Sequence, residues 1–186
     1  RTYNVLNILM KFHAFPSETQ GKFCMVECTV PVGAGAPPNS HAGETESFYV
    51  LDGQIGFMVD GREFLAGPGD YVAVPDGAVH AFQAVGDAPA RVLITNAPGQ
   101  MHDEFFTGIG TPLPEGQTEL PEPSEPDLAA VMASGAAVGS AAAFEVLATP
   151  VVPSFSRWIS AICSWSARLT CSYTMTWLSR SEMAFS

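Results

Sequence analysis

A chain of 186 residues and 19.7 kDa has room for one domain and a tail, but not for two full enzyme domains. Its 47% hydrophobic and 10% aromatic content excludes a wholly disordered chain, while 17 glycines and 15 prolines favour many turns over long helices. Eight Lys and Arg against 19 Asp and Glu, a net charge of −11, argue against a nucleic-acid groove and against attraction to anionic membranes.

A small, weakly charged or metal-linked molecule is therefore the expected partner. No run reaches the roughly 18 to 20 uncharged apolar residues that a bilayer span requires, and Arg1-Thr2-Tyr3-Asn4 has no signal-peptide character. The expectation is a soluble, cytoplasmic protein.

From residue 1 to about 98, short β-like runs alternate with Gly, Pro and Asp turns. Strands are predicted at Val5 to Lys11, Phe23 to Val30, Ser47 to Leu51, Gln54 to Val59, Arg62 to Leu65, Tyr71 to Val74, His80 to Ala84 and Ala90 to Thr95. Asp60-Gly61 is a hairpin signal because both residues tolerate positive φ, and Pro75-Asp76-Gly77 reads as a tight turn. Short strands at this spacing, with no helical period between them, predict an all-β antiparallel sandwich or barrel. Cys24 and Cys28, four apart on one strand, share a face and read as core rather than as a redox or metal pair. His13 follows the first strand and reads as a loop residue.

Beyond the strands the composition changes. Residues 111–127 are rich in proline and acids and read as an extended arm; Asp127 is a plausible N-cap for a short helix over 128–147. The remainder, 148–186, holds all three tryptophans, Cys163 and Cys171, with Glu182 its only acid against Arg157, Arg168 and Arg180. It reads either as an interaction tail or as out-of-frame sequence, in both cases outside the fold formed by residues 1–110.

The chemistry concentrates in two blocks. In the first, Pro31 to Gly53, His41 and Glu46 flank a polar turn that leads into an apolar strand. Period two puts Glu46 on the same face as Phe48 and Val50, so a carboxylate enters the sheet interior, which is costly unless a cation pairs with it. In the second, Gly69 to Phe82, His80 stands just after a turn on the face of Phe82. Two histidines and one carboxylate on neighbouring strands suit a divalent transition metal with open coordination positions. Glu44, two residues before Glu46, is either an acid behind the ligands or a solvated rim residue, the rim being favoured; His102, after the last strand, reads as a lone exposed histidine.

These blocks resemble the paired motifs of the cupin superfamily. The first reads Gly33-x5-Asn39-x-His41-x4-Glu46-x6-Gly53 and the second Gly69-x5-Pro75-x-Gly77-x2-His80-x3-Ala84. Two positions depart from the family pattern: Asn39 stands where it has its first histidine, and Ala84 where it has a final asparagine. The resemblance covers roughly residues 5 to 98. It implies a double-stranded β-helix, or jelly-roll, barrel, and a metal bound by His41, Glu46 and His80, with Asn39 as a weak fourth oxygen donor. The metal would be iron, manganese or nickel.

The Phe48-Tyr49-Val50-Leu51-Asp52-Gly53 phrase is similar to that of quercetin-dioxygenase-like cupins. That resemblance implies a metal-dependent dioxygenase acting on a flavonol or another aromatic hydroxy-ketone, with Glu46 both ligand and base. Phe48, Val50, Phe57, Val72 and Phe82 would line the substrate pocket. It also implies a homodimer. The alternatives are another cupin activity, such as an isomerase, and a non-catalytic small-molecule-binding cupin whose metal site has degenerated through Asn39.

Overall fold

The computed structural model describes residues 1–123; the helical segment expected over 128–147, the tail 148–186 and the tail's cysteines and tryptophans lie outside the described residues. The chain starts with a hairpin of β1 (Thr2–Val5) and β2 (Ile8–Ala14), followed by β3 (Cys24–Val30), β4 (Gly35–Asn39), β5 (Thr45–Asp52) and β6 (Gln54–Val59). Then come β7 (Arg62–Ala66), β8 (Tyr71–Val74), β9 (His80–Val85), β10 (Ala90–Ala97), the helix α1 (Gln100–Ile109) and β11 (Thr111–Leu113). The strands form two antiparallel sheets, a seven-stranded one in the order β11-β1-β2-β3-β10-β5-β8 and a four-stranded one in the order β4-β9-β6-β7. This is the all-β jelly-roll class expected, as two sheets not closed into a barrel.

Alternation builds the core. On β3 the inward set is Cys24, Val26, Cys28 and Val30; on β5 it is Glu46, Phe48 and Val50. All of these but Glu46 meet Val92 and Ile94 of β10 and Ile55 and Phe57 of β6 in one apolar cluster. Phe48, Phe57 and Phe82 form its centre, with ring centroids 5.0 Å apart for Phe48 and Phe57 and 5.3 Å for Phe48 and Phe82. Cys24 and Cys28 are free and buried, and burial pushes the Cys24 thiol up to about 12, so both behave as small apolar groups. Gly53, which turns β5 into β6, has φ +73, and a Cβ there would lie 2.7 Å from Ala90 Cα, so glycine is required twice over.

Five local expectations need correction. The single strand expected from Val5 to Lys11 is a hairpin bend, because Leu6 and Asn7 both adopt left-handed φ (52° and 67°), a turn that no glycine signals. The turn is supported by the Asn7 N–H donating to Asn4 Oδ1 at 3.0 Å. His13 is therefore in β2 rather than a loop, with Nε2 3.0 Å from Glu27 Oε2, a carboxylate that also accepts from Arg91.

β4 was not expected because of Pro37 and Pro38; it is tolerated as the edge of its sheet, where a missing N–H costs no ladder bond. α1 was also missed, since Gly99 offers no side-chain cap. Gly99 has φ +73, and a Cβ there would come within 2.7 Å of the Cys24 nitrogen, so the helix starts where only glycine fits. Finally, the first residues of the proline-rich segment are ordered as β11, which pairs with β1 through Thr2 and Leu113.

Candidate metal centre

Glu46 occupies the second position of β5, opposite Asn96 of β10 on one side and Val74 of β8 on the other. Its carboxylate is buried, with 9% exposure. His80 opens β9, between Asn39 of β4 and Val59 of β6 in the ladder. Its Nδ1 lies 3.0 Å from the Ala78 carbonyl, which assigns the proton to Nδ1 and turns Nε2 toward Glu46 Oε2, 2.6 Å away.

His41 lies in the loop between β4 and β5. That loop is tied to the Pro75–Ala78 turn by two bonds: the Gly77 N–H donates to the His41 carbonyl at 3.0 Å, and the Gly43 N–H to Asp76 Oδ1 at 2.6 Å. The turn predicted from Pro75-Asp76-Gly77 thus holds both histidines, one through its backbone and one through the strand it starts. Ligand atoms of His41, Glu46 and His80 lie within 4.8 Å of one another.

Asn39 sits beside His80, and its amide nitrogen donates to the Pro37 carbonyl at 2.8 Å and the His80 carbonyl at 3.3 Å. The amide clips β4 to β9. Phe48, Val50, Phe57, Val72 and Phe82 are all buried in the core. Of these, Phe48 approaches the site, edge-on to His80 with ring centroids 6.4 Å apart.

Two expectations fail here for the same reason. Glu44 is not a rim residue and His102 is not exposed: they are 6% and 7% exposed, and His102 Nδ1 lies 2.9 Å from Glu44 Oε1. α1 folds back over the end of the sheets, with Phe106 and Ile109 packed against the core, and lays the His102 ring 4.9 Å from that of His41. Asn96 donates to Glu44 Oε1 at 3.3 Å from below. A signal was present, since His102, Phe106 and Ile109 follow i, i+4, i+7 spacing and Glu44 shares the period of Glu46.

The electrostatics of the cluster are those of a cation site. Burial opposes ionisation of Glu46, but the hydrogen bond from His80 and the His80 charge, with smaller contributions from the neighbouring histidines, outweigh it and hold the carboxyl at about 2. Burial likewise works against the His80 imidazolium, and the Glu46 bond and charge overcome it, raising His80 above 6.5. His41 goes the other way: burial first, then the neighbouring His102, push it down, so it is neutral with a free lone pair, the form a metal ligand needs. The buried Nδ1 of His41 has no hydrogen-bond partner among the described residues. Neutral imidazole, an ionised carboxylate and an orphaned buried nitrogen fit a divalent transition metal.

A pH prediction follows for the metal-free protein. Glu46 is depressed below 4.5, so its stabilising contribution is present above pH 4.5 and lost as pH falls toward about 2. His80 is raised above 6.5, so its contribution is complete below pH 6.5 and lost as pH rises through the raised value. Denaturation in chelator should show this pair contributing most between pH 4.5 and 6.5, and His80→Gln should flatten both limbs. An unchanged pH profile in that variant would refute the pairing.

Comparison with known proteins agrees with this geometry. A cupin-domain family model matches residues 26–96, the span from β3 to β10. Quercetin 2,3-dioxygenase of Bacillus subtilis is 32% identical over 104 residues, covering 56% of this chain and 30% of that protein. An uncharacterized protein of Methanocaldococcus jannaschii is 26% identical over 83 residues, covering 45% of this chain and 66% of its own length. The chain thus spans less than a third of the first relative and about two thirds of the second. Among solved structures, an RmlC-like cupin from Shewanella frigidimarina shares 18% identity with a TM-score of 0.49, over 55% of this chain and 86% of that one. With the domain match running from β3 to β10 and across the strands that carry Glu46 and His80, residues 26–96 are a cupin domain.

Proposed function

We propose that this cupin domain binds iron, manganese or nickel through His41, Glu46 and His80, with Asn39 at most a weak oxygen donor, and oxidises an aromatic hydroxy-ketone of the flavonol type with dioxygen. The observation that carries the reading is the buried His41/Glu46/His80 cluster, two imidazoles and one carboxylate converging at one end of the sheets. The similarity to quercetin 2,3-dioxygenase supports the substrate class. When bound, the metal would supply a Lewis acid and a chelation point for the hydroxy-ketone.

The chain's own residues do the rest. Glu46, held ionised, would accept the substrate's hydroxyl proton, and the Ala78 carbonyl, accepting from His80 Nδ1, keeps the other nitrogen of that ring turned toward Glu46. Phe48, next to His80, presents an aromatic edge, and Val50, Phe57, Val72 and Phe82 back it with an apolar wall suited to a flat ligand. A homodimer belongs to the same reading, supported by the outer strands β7 and β8, where Leu65 and Tyr71 are exposed. Residues 1–110 would be the metal-binding unit and 148–186 dispensable for it.

The test is metal analysis of protein purified without added metal, followed by incubation with a flavonol under air. The expected result is about one equivalent of metal per chain, with loss of flavonol absorbance coupled to oxygen uptake. Metal without oxygen uptake would shift the reading to another cupin activity such as an isomerase. Flavonol binding with no metal and no turnover would leave a binding module.

A further inference from the structure

The centre has a second half, of which His41 is the only ligand position named by the two sequence motifs. His41, Glu44 and His102 offer ligand atoms within 4.8 Å of one another, and His41 is shared with the His41/Glu46/His80 group. The two halves differ in how their donors are satisfied. His80 and Glu46 bond to each other at 2.6 Å, and His80 is also held by Ala78. By contrast, the Nδ1 atoms of His41 and His102 are both buried without a hydrogen-bond partner among the described residues.

His102 Nδ1 lies 2.9 Å from Glu44 Oε1, at ion-pair distance but not aligned as a hydrogen bond. A ring nitrogen and a carboxylate oxygen that converge without pointing a proton at each other are placed as two donors to one cation are. Leaving two buried nitrogens unsatisfied is costly, and a metal ion would satisfy both. Asn39 cannot play this part well, because its amide nitrogen is committed to the Pro37 and His80 carbonyls and only a neutral oxygen remains.

We infer that His102, carried by α1, is the third imidazole ligand of the metal centre, with Glu44 beside it as a second carboxylate donor, in place of the histidine that Asn39 replaces. The inference rests on the proposed metal-binding reading of His41, Glu46 and His80. α1 is then part of the site: its seat on Gly99 and the packing of Phe106 and Ile109 hold His102 in place.

The experiment is titration of the full chain with Co(II), with X-ray absorption counting imidazoles on the bound metal. The expected result is one equivalent of Co(II) carrying three imidazoles. His102→Gln should reduce the count to two and weaken affinity by more than about 100-fold, and Glu44→Gln should weaken affinity with the count kept. Two imidazoles in the wild type, two equivalents of Co(II), or a His102→Gln protein that binds as wild type would overturn the inference. In the last case, loss of binding in His41→Ala would leave the three-residue centre standing. A wild type that takes no Co(II) would sink both. The wild-type imidazole count decides the matter even should a variant fail to fold.

Discussion

His80→Ala and His41→Ala are each expected to remove metal binding, with the metal content of the purified protein falling from about one equivalent to near zero. His80 Nε2 faces Glu46 at 2.6 Å, and His41 is the residue common to both ligand groups. Loss of a group that merely orients a ligand typically weakens a metal site 10- to 100-fold, so loss of a ligand should exceed about 100-fold. Asn39→Ala should have a much smaller effect, through looser seating of His80, because the lost amide bonds end on the Pro37 and His80 carbonyls. Asn39→His is the companion variant: a gain in nickel or zinc affinity would show the position open to the metal. Equal and total loss in Asn39→Ala, His41→Ala and His80→Ala would instead make Asn39 a full ligand. Elemental analysis and competition titration separate these outcomes.

The largest stability effect is expected at Phe48. Its side chain is fully buried and packs on Phe57, Phe82 and the His80 ring. Phe48→Ala removes an aromatic ring from a site enclosed by two sheets that cannot readily collapse, which should cost about 3 to 5 kcal/mol. Phe48→Leu, which keeps more of the volume, should cost less. Because His80 rests against the same ring, the alanine variant should also weaken metal binding even at temperatures where it remains folded. Urea denaturation would measure the first effect and Co(II) titration below the transition the second. A cost under about 1 kcal/mol would mean that Phe48 lines open space rather than core.

Much of the centre was legible in the chain itself. Period two along Thr45–Asp52 put Glu46 on the face of Phe48 and Val50, and the structure buries all three. The Pro75-Asp76-Gly77 turn announced a tight reversal before His80, and that reversal also anchors His41. These are local effects, set by alternation of side chains and by the φ preferences of a few residues, so they survive without knowledge of the fold. The hairpin at Leu6-Asn7 and the proline-bearing strand β4 were hidden because local propensity argued against them; ladder pairing and an edge position overrode it.

The spacing of His102, Phe106 and Ile109 and the period of Glu44 hinted at burial, but the tertiary structure decided it. A histidine five residues beyond β10 is exposed or buried according to where α1 packs, and α1 packs by setting Phe106 and Ile109 into an apolar surface assembled from distant strands. Glu44, one residue before β5, would face solvent without that helix above it. The sequence by itself thus determined the all-β class, the strand faces and the His41/Glu46/His80 group. Long-range packing decided that His102 and Glu44 come within reach of His41.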